Sequence, residues 1–390
     1  RRMTSRFWLA IGLLLIISGF RDQLRADTTA LKPNIVIILA DDLGIGDLAV
    51  YNQDSKIATP NLDALAAAGM RMTDAHSPSS VCTPTRYGLL TGRYAWRTLL
   101  KQGVLKPWDK PLIEPDRETL AKMLKQRGYA TACIGKWHLG WHWPEEDFTK
   151  ALGGGPLAAG FDYYFGDDVP NYPPYAFIEN NHLLNQPDTV KPEHMFGNPG
   201  PMVSGWDLTA VMPAITERAV QYIKDQNLSQ NPFFLYFALT APHTPIAPTA
   251  AFINKSQAGR YGDYVQQVDH TVGQVIQALK STGQWEQTIL IFTSDNGSPQ
   301  RDGTNMAGPT GSVKKYGHDP SKPYRGMKAD IWEGGHRVPF IVSWPEKISN
   351  GQVSHQLFGL NDLMATLASI TQSETLMHRY EDSLDFSKIW

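Results

Sequence analysis

Four stretches of this chain are continuous apolar, β-rich runs, and each ends in polar or charged residues: NIVIILADD (34–42), YATACIGKWH (129–138), FFLYFALTAPH (233–243) and TILIFTSDN (288–296). A strand with one wet face alternates apolar and polar positions. A run without alternation is a strand buried on both faces, as in a mostly parallel sheet covered by helices. Helical signals lie between the runs. TPNLDALAAAG offers Thr59 as N-cap, Pro60 at the first helical position and Gly69 as a stop. Residues 117–128 place Leu120, Met123 and Leu124 on one face ahead of Gly128, and residues 264–283 space Val265, Val268, Val272, Val275, Ile276 and Leu279 helically. Strands alternating with helices predict an α/β fold. Ligands of open α/β sheets bind beyond the carboxyl ends of the strands. The four polar endings are therefore expected to converge on one site; the turn preference of Asp, Asn and His explains one such ending better than four.

The chain has 390 residues, room for one large α/β domain or about two of ordinary size. Its net charge of -2, with no basic stripe, leaves no electrostatic footprint for nucleic acid. Arg1, Arg2 and Arg6 precede the apolar run FWLAIGLLLIISGF (7–20), and a polar stretch ends at Ala26. This pattern resembles a secretory signal over residues 1–26, cleaved near Ala26. The run is shorter than the ~20 apolar residues that span a bilayer. The expectation is an exported protein, periplasmic or secreted, with no stable membrane span after signal removal. Two cysteines are too few to staple it, so the core must stand alone. Residues 151–205 and 298–324 read as long irregular loops, which in compact domains are functional or disordered.

Asp41, Asp42, Asp295 and Asn296 are hard oxygen donors, better suited to Ca²⁺ or Mg²⁺ than to zinc. Arg86, Lys136, His138, His243 and Lys328 stand near the same strand ends or in polar segments that can reach them. A cation beside several cationic side chains implies an anionic substrate, a phosphate or sulfate ester. Cys82 begins CTPTRYGLLTGR (82–93). Pro84 is tolerated in a first helical turn, so Cys82 should lie at a helix N-terminus, where the dipole favours negative charge. It is either a small buried residue or an activated thiolate, and an unpaired reactive thiol survives poorly in an oxidising compartment. Cys133, inside its strand, reads as core packing.

The segment 82–93 resembles the signature of the type I sulfatases, C-x-P-x-R followed by L-x-T-G. ILADDLG, GKWHLG, GFDYYFG (160–166), APHTP, SDNG and WEGGHRVPFI occur in the order found in that family. The resemblance implies an alkaline-phosphatase-like fold, a large mostly parallel mixed sheet flanked by helices, with residues 27–390 forming the catalytic domain. Members usually continue into a small C-terminal subdomain, which is expected to be missing here. The resemblance also implies that a formylglycine-generating enzyme converts Cys82 to Cα-formylglycine. Hydrated, that aldehyde is a gem-diol. One hydroxyl, on Ca²⁺ and deprotonated with help from Asp295, would attack sulfur to give a sulfo-enzyme; the other, relieved of its proton by His138, would expel sulfate. Ca²⁺ would be held by Asp41, Asp42, Asp295, Asn296 and the residue-82 oxygen. Lys136, Lys328 and His243 would clamp sulfate, His243 or Lys328 would protonate the leaving alcohol, and Arg86 would orient the gem-diol.

The expected activity is hydrolysis of an organic sulfate ester, a sulfated carbohydrate ahead of an aryl sulfate. Trp137, Trp141, Trp143, Tyr172 and Tyr175 are candidates for stacking on sugar rings. Two other readings are a phosphodiesterase or phosphonate hydrolase on the same scaffold and a non-catalytic sulfated-glycan binder. Turnover of sulfate against phosphate esters separates the first, and retention of the Cys82 thiol without turnover marks the second.

Overall fold

The computed structural model describes residues 32–144, 147–229, 231–373 and 380–390. The expected signal, residues 1–26, lies outside them. All four apolar runs are strands: β1 (Asn34–Asp41), β3 (Ala130–Gly135), β7 (Phe233–Pro242) and β8 (Thr288–Ser294). They are adjacent and parallel in the order β8-β1-β7-β3, inside a ten-stranded sheet. The missing alternation has the expected cause. Ile35, Ile37 and Leu39 pack into one core and Val36, Ile38 and Ala40 into another, on opposite faces of β1. Burying each such Val or Ile is worth about 1.5–3 kcal/mol.

Helices cover both faces. On one lie α2 (Cys82–Thr91), α3 (Leu120–Gln126) and α6 (Leu363–Ile370). On the other lie α1 (Pro60–Ala67), α4 (Val211–Gln226) and α5 (Gly259–Ser281). Thr119 caps α3 by accepting the Lys122 N–H. Thr59 caps α1 through its carbonyl, which accepts the Asp63 N–H at 2.9 Å, and not through its hydroxyl. Gly69 lies where a side chain would strike the Val342 carbonyl, so it serves close packing rather than termination alone.

The sheet extends further than the four runs. β9 (Phe340–Ser343) pairs antiparallel with β8, followed outward by β2 (Met70–Met72) and β10 (Gln352–Ser354). On the other side β4 (Tyr163–Gly166) pairs parallel with β3, and β5 (Ile178–Glu179) and β6 (His182–Leu183) continue as short antiparallel strands. The segment 151–205 is thus partly sheet rather than wholly loop: its strands are too short for a periodic signal to rise above its Gly, Pro and Tyr content. The mixed sheet flanked by helices is the α/β architecture expected. Residues Pro33–Trp390 form one compact unit. No described helix is long and apolar enough to cross a membrane.

Register brings the strand ends together. Ala40 stands opposite Ser294, Asp41 opposite Pro242, and Ala238 opposite Gly135. Gly135, with φ of 105°, turns the chain out of β3; a Cβ there would lie 1.8 Å from the Ala238 carbonyl oxygen. That turn aims Lys136 across the strand ends.

Candidate active site

Asp41 and Asp42 leave β1 side by side, and Asp295 and Asn296 follow β8. The Asp295 N–H bonds the Ala40 carbonyl at 3.0 Å, and the Asp42 N–H bonds Asp295 Oδ1 at 3.1 Å. Cys82 is the first residue of α2, and its Sγ lies 3.7 Å from Asp41 Oδ1 and 3.6 Å from Lys328 Nζ. Lys136 Nζ is 2.7 Å from Asp41 Oδ2, Lys328 Nζ is 2.6 Å from Asp42 Oδ1, and His243 Nε2 is 3.8 Å from Asp42 Oδ2. Residues far apart in sequence thus meet at the carboxyl ends of β1, β7, β3 and β8.

Asp42 and His138 adopt left-handed backbone, with φ of 68° and 55°. Such conformations cluster at functional sites. A carboxylate holds each amide in place: the buried Asp295 for Asp42, and the half-buried Asp168, through Oδ1 at 3.1 Å, for His138.

The charges are unevenly poised. Burial pushes Asp41 up, but the Lys136 ammonium, His243 and Arg86 outweigh it and hold the carboxyl down at about 2. Burial also opposes ionisation of Asp42, and Lys328 reverses it, so this carboxyl too lies below the usual range. Burial and the neighbouring Asp41 charge raise Asp295. Burial drives His138 well down, helped by Lys136 and Arg86, so the ring is neutral. Its Nε2 lies 3.1 Å from the Leu105 carbonyl and must donate, which leaves the lone pair on Nδ1, a buried atom with no partner. Burial pushes the Cys82 thiol up to about 12 in spite of Lys136 and Lys328. The surroundings therefore do not activate a thiolate, contrary to one reading of the helix N-terminus.

A divalent cation fits these residues. Asp41, Asp42, Cys82 and His243 each present a ligating atom within 4.8 Å of the others. Asn296 donates to Asp42 Oδ1 at 2.7 Å, while its own Oδ1 is a buried acceptor without a partner. Carboxylate and amide oxygens are hard donors.

Arg86 lies among the same carboxylates. Its Nη2 lies 2.8 Å from Asp295 Oδ2 and 3.5 Å from Asp41 Oδ1, and its Nη1 bonds the Lys136 carbonyl at 3.1 Å. It positions Asp295 and the β3 turn, the fork of its guanidinium matching a carboxylate.

Three of the aromatics considered for sugar stacking are core. Trp137, Trp141 and Tyr175 are each 1% exposed. Trp137 Nε1 bonds the Gly140 carbonyl, Trp141 packs on Tyr164, and the Tyr175 hydroxyl bonds the carbonyls of Asn171 and Asn198. Tyr172 stands edge-on to the His138 ring at 5.7 Å. Trp143 lines an open 590 Å³ cavity with Trp108, which sequence reasoning passed over and which is 43% exposed.

Other supporting residues also escaped it. Asp47 accepts from His318 Nε2 at 2.8 Å and from the Tyr261 hydroxyl at 2.5 Å, and also holds the Gly44 N–H, locking the loop after Asp42. Its place in DDLGIGD was the available signal. Asp168 had none, since it meets His138 only in the fold.

Beside Asp168, the Asp167 carboxylate is buried with both oxygens unpartnered. Burial, then Asp168, raises it from 3.8 to about 7. The folded state keeps a proton that the unfolded chain has lost, so stability falls as pH rises from about 4 through 7, by about 4 kcal/mol in all. Asp167→Asn is expected to raise the melting temperature at pH 8 and to change it little at pH 4. An equal change at both pH values contradicts this.

An α/β sheet with paired carboxylates, two lysines and two histidines beyond its strand ends defines a hydrolase of anionic esters. The Sulfatase family model matches residues 33–373. The chain is 35% identical to N-acetylgalactosamine-6-O-sulfatase of Bacteroides thetaiotaomicron, over 92% of this chain and 76% of that protein. It is 35% identical to N-acetylgalactosamine-6-sulfatase of Canis lupus familiaris, over 96% and 68%. A solved structure from work on glycosaminoglycan metabolism by Bacteroides thetaiotaomicron superposes with a TM-score of 0.82 at 34% identity, covering 92% of this chain and 81% of the other. The chain belongs to the sulfatase family, enzymes of the alkaline-phosphatase-like fold, and is a sulfuric ester hydrolase.

Proposed function

We propose that the protein is an exported sulfatase whose catalytic domain spans residues 27–390, that it removes sulfate from a sulfated carbohydrate, and that Cys82 is the precursor of its catalytic group. The carbohydrate rests on the names of its relatives, which make a hexosamine 6-sulfate the first substrate to try. The observation that carries the catalytic reading is the placement of Cys82: at the start of α2, between Asp41 and Lys328, where burial keeps the thiol protonated. Such a thiol is a poor nucleophile but well placed as a precursor.

Asp41, Asp42, Asp295 and Asn296 would hold Ca²⁺ with the oxygen of residue 82. The ion supplies a fixed positive charge, and formylglycine, installed by a maturation enzyme, supplies two oxygens on one carbon. Lys136 and Lys328 each donate one N–H hydrogen bond to a carboxylate and keep others for sulfate oxygens, since an ammonium has three donors. Arg86 fixes Asp295, which would accept the proton of the attacking hydroxyl. His138 would take a proton at Nδ1, its bare nitrogen. His243 donates Nδ1–H to the Thr244 carbonyl, so Nε2 is bare in the neutral ring and would donate to the leaving alcohol only in the imidazolium form, which burial opposes and the Asp41 and Asp42 carboxylates favour.

A sugar alkoxide needs that proton in the transition state, whereas an activated phenolate does not. His243→Ala is therefore expected to lose about 10²–10⁴-fold in kcat on a hexosamine 6-sulfate and far less on a nitrophenyl sulfate. Equal losses on both substrates remove His243 as the acid and leave it as a sulfate ligand.

A further inference from the structure

A second group of ligating side chains is formed by residues 74–76 and 331–337, apart from the carboxylates just described. His76 ends a short strand, Ala75–His76, and His336 ends a helical turn, Glu333–His336. The Ser77 N–H bonds the His336 carbonyl at 2.8 Å and the Val338 N–H bonds the Ala75 carbonyl at 3.0 Å, so the two segments are held side by side. The Nδ1 atoms of the two rings face each other at 3.0 Å.

The far nitrogens decide what that contact is. His336 Nε2 lies 3.0 Å from the Ile331 carbonyl, which can only accept, so Nε2 carries the proton. His76 Nε2 lies 2.8 Å from Asp74 Oδ1, a carboxylate also bound by Arg337 Nη2 at 2.5 Å, so it too donates. With both protons on Nε2, the two Nδ1 atoms point lone pairs at one another. At 3.0 Å these repel unless a cation is shared between them. Glu333 offers a carboxylate oxygen within 4.8 Å of both nitrogens, and Arg337 Nη1 steadies that carboxylate at 2.6 Å. A proton would satisfy the two nitrogens and leave Glu333 to Arg337 alone; a metal ion draws on all three.

We propose that His76 Nδ1, His336 Nδ1 and Glu333 bind one Zn²⁺. Two imidazoles and a carboxylate are zinc donors, and histidines whose other nitrogen donates to a carboxylate or a carbonyl are the usual zinc ligands. The three residues are half-buried, so water can reach a fourth position. The ion would act as a clip. The segment bearing Glu333 and His336 continues from the loop of Lys328, while His76 leads into α2 and Cys82; the Ala329 N–H already bonds the Ser80 carbonyl at 3.0 Å. Zinc would tie together the two segments that bring Lys328 to Cys82.

The test is titration of Zn²⁺ into metal-stripped full-length protein containing excess Ca²⁺, followed by calorimetry, with anomalous diffraction at the zinc edge. One Zn²⁺ per chain is expected, with an anomalous peak between the two Nδ1 atoms. His76→Gln and His336→Gln should each weaken binding at least about 100-fold, and Asp74→Asn about 10–100-fold. Asp42→Asn should leave zinc affinity unchanged, which separates this site from the carboxylates around Cys82. Melting curves identify any variant that fails to fold, and the peak in the wild-type crystal tests the site without a variant. Absence of a peak there, or a proton found on Nδ1 of either ring at saturating Zn²⁺, overturns the proposal.

Discussion

Asp295→Asn and Asp41→Asn are expected to lower sulfate-ester turnover by at least about 10³-fold while leaving the protein folded. Each removes a charge from the group proposed to hold the cation, and loss of one preorganised electrostatic partner already costs about 10²–10³-fold. Asn keeps the volume and one acceptor oxygen, so Arg86 retains a partner at position 295. Alanine at 295 is expected to be harsher. It strands a fully buried guanidinium that now lies 2.8 Å from its carboxylate, and breaking a buried pair costs about 3–5 kcal/mol. Activity and melting temperature together separate the two effects. Metal analysis should find one Ca²⁺ or Mg²⁺ per chain, kept in His76→Gln and lost in Asp41→Asn. Stoichiometric zinc in His76→Gln with neither hard cation would overturn the metal assignment.

Cys82→Ala is expected to be inactive on every sulfate ester. Cys82→Ser should be inactive as well, unless the host's maturation enzyme accepts serine. One hydroxyl can take up a sulfate, but a single oxygen on the carbon leaves no second group to expel it. Cys133→Ala should keep most of its activity, because that thiol is fully buried within β3 and is no part of the site. A conventional thiolate mechanism predicts instead that alkylating reagents inactivate the wild-type enzyme at Cys82. The raised pKa of that thiol argues against it. Nearly full activity in Cys82→Ala would remove residue 82 from the chemistry.

Much of this arrangement was legible in the chain. The sheet announced itself because strands buried on both faces leave unbroken apolar runs, and parallel strands end on one side, so Asp41, Lys136, His243 and Asp295 had to gather there. Cys82 was placed at a helix start by Pro84 alone. Lys328 was singled out as a cationic residue of a polar segment, but a loop residue has no periodicity to fix its position. The short strands β4, β5 and β6 were hidden for a related reason: runs of two to four residues carry too little pattern. The role of Arg86 toward the gem-diol came from the resemblance alone; its bond to Asp295 could not be read from the chain, because the two are 209 residues apart. Trp137, Trp141 and Tyr175 looked like a rim because aromatic residues in loops suit both stacking and packing, and only burial tells these apart. The facing histidines 76 and 336 are 260 residues apart, and nothing short of the fold joins them.

Whether residue 82 acts as an aldehyde hydrate or as a thiol is read from the mass of its peptide in fully active enzyme. Protein made in a host that performs the conversion is digested and the peptide containing residues 82–86 is weighed, then treated with a hydrazide. The expected peptide is lighter than the cysteine form and gains the hydrazide, in a fraction that follows specific activity from one preparation to the next. Fully active enzyme whose peptide carries an unmodified thiol at Cys82 contradicts the aldehyde hydrate.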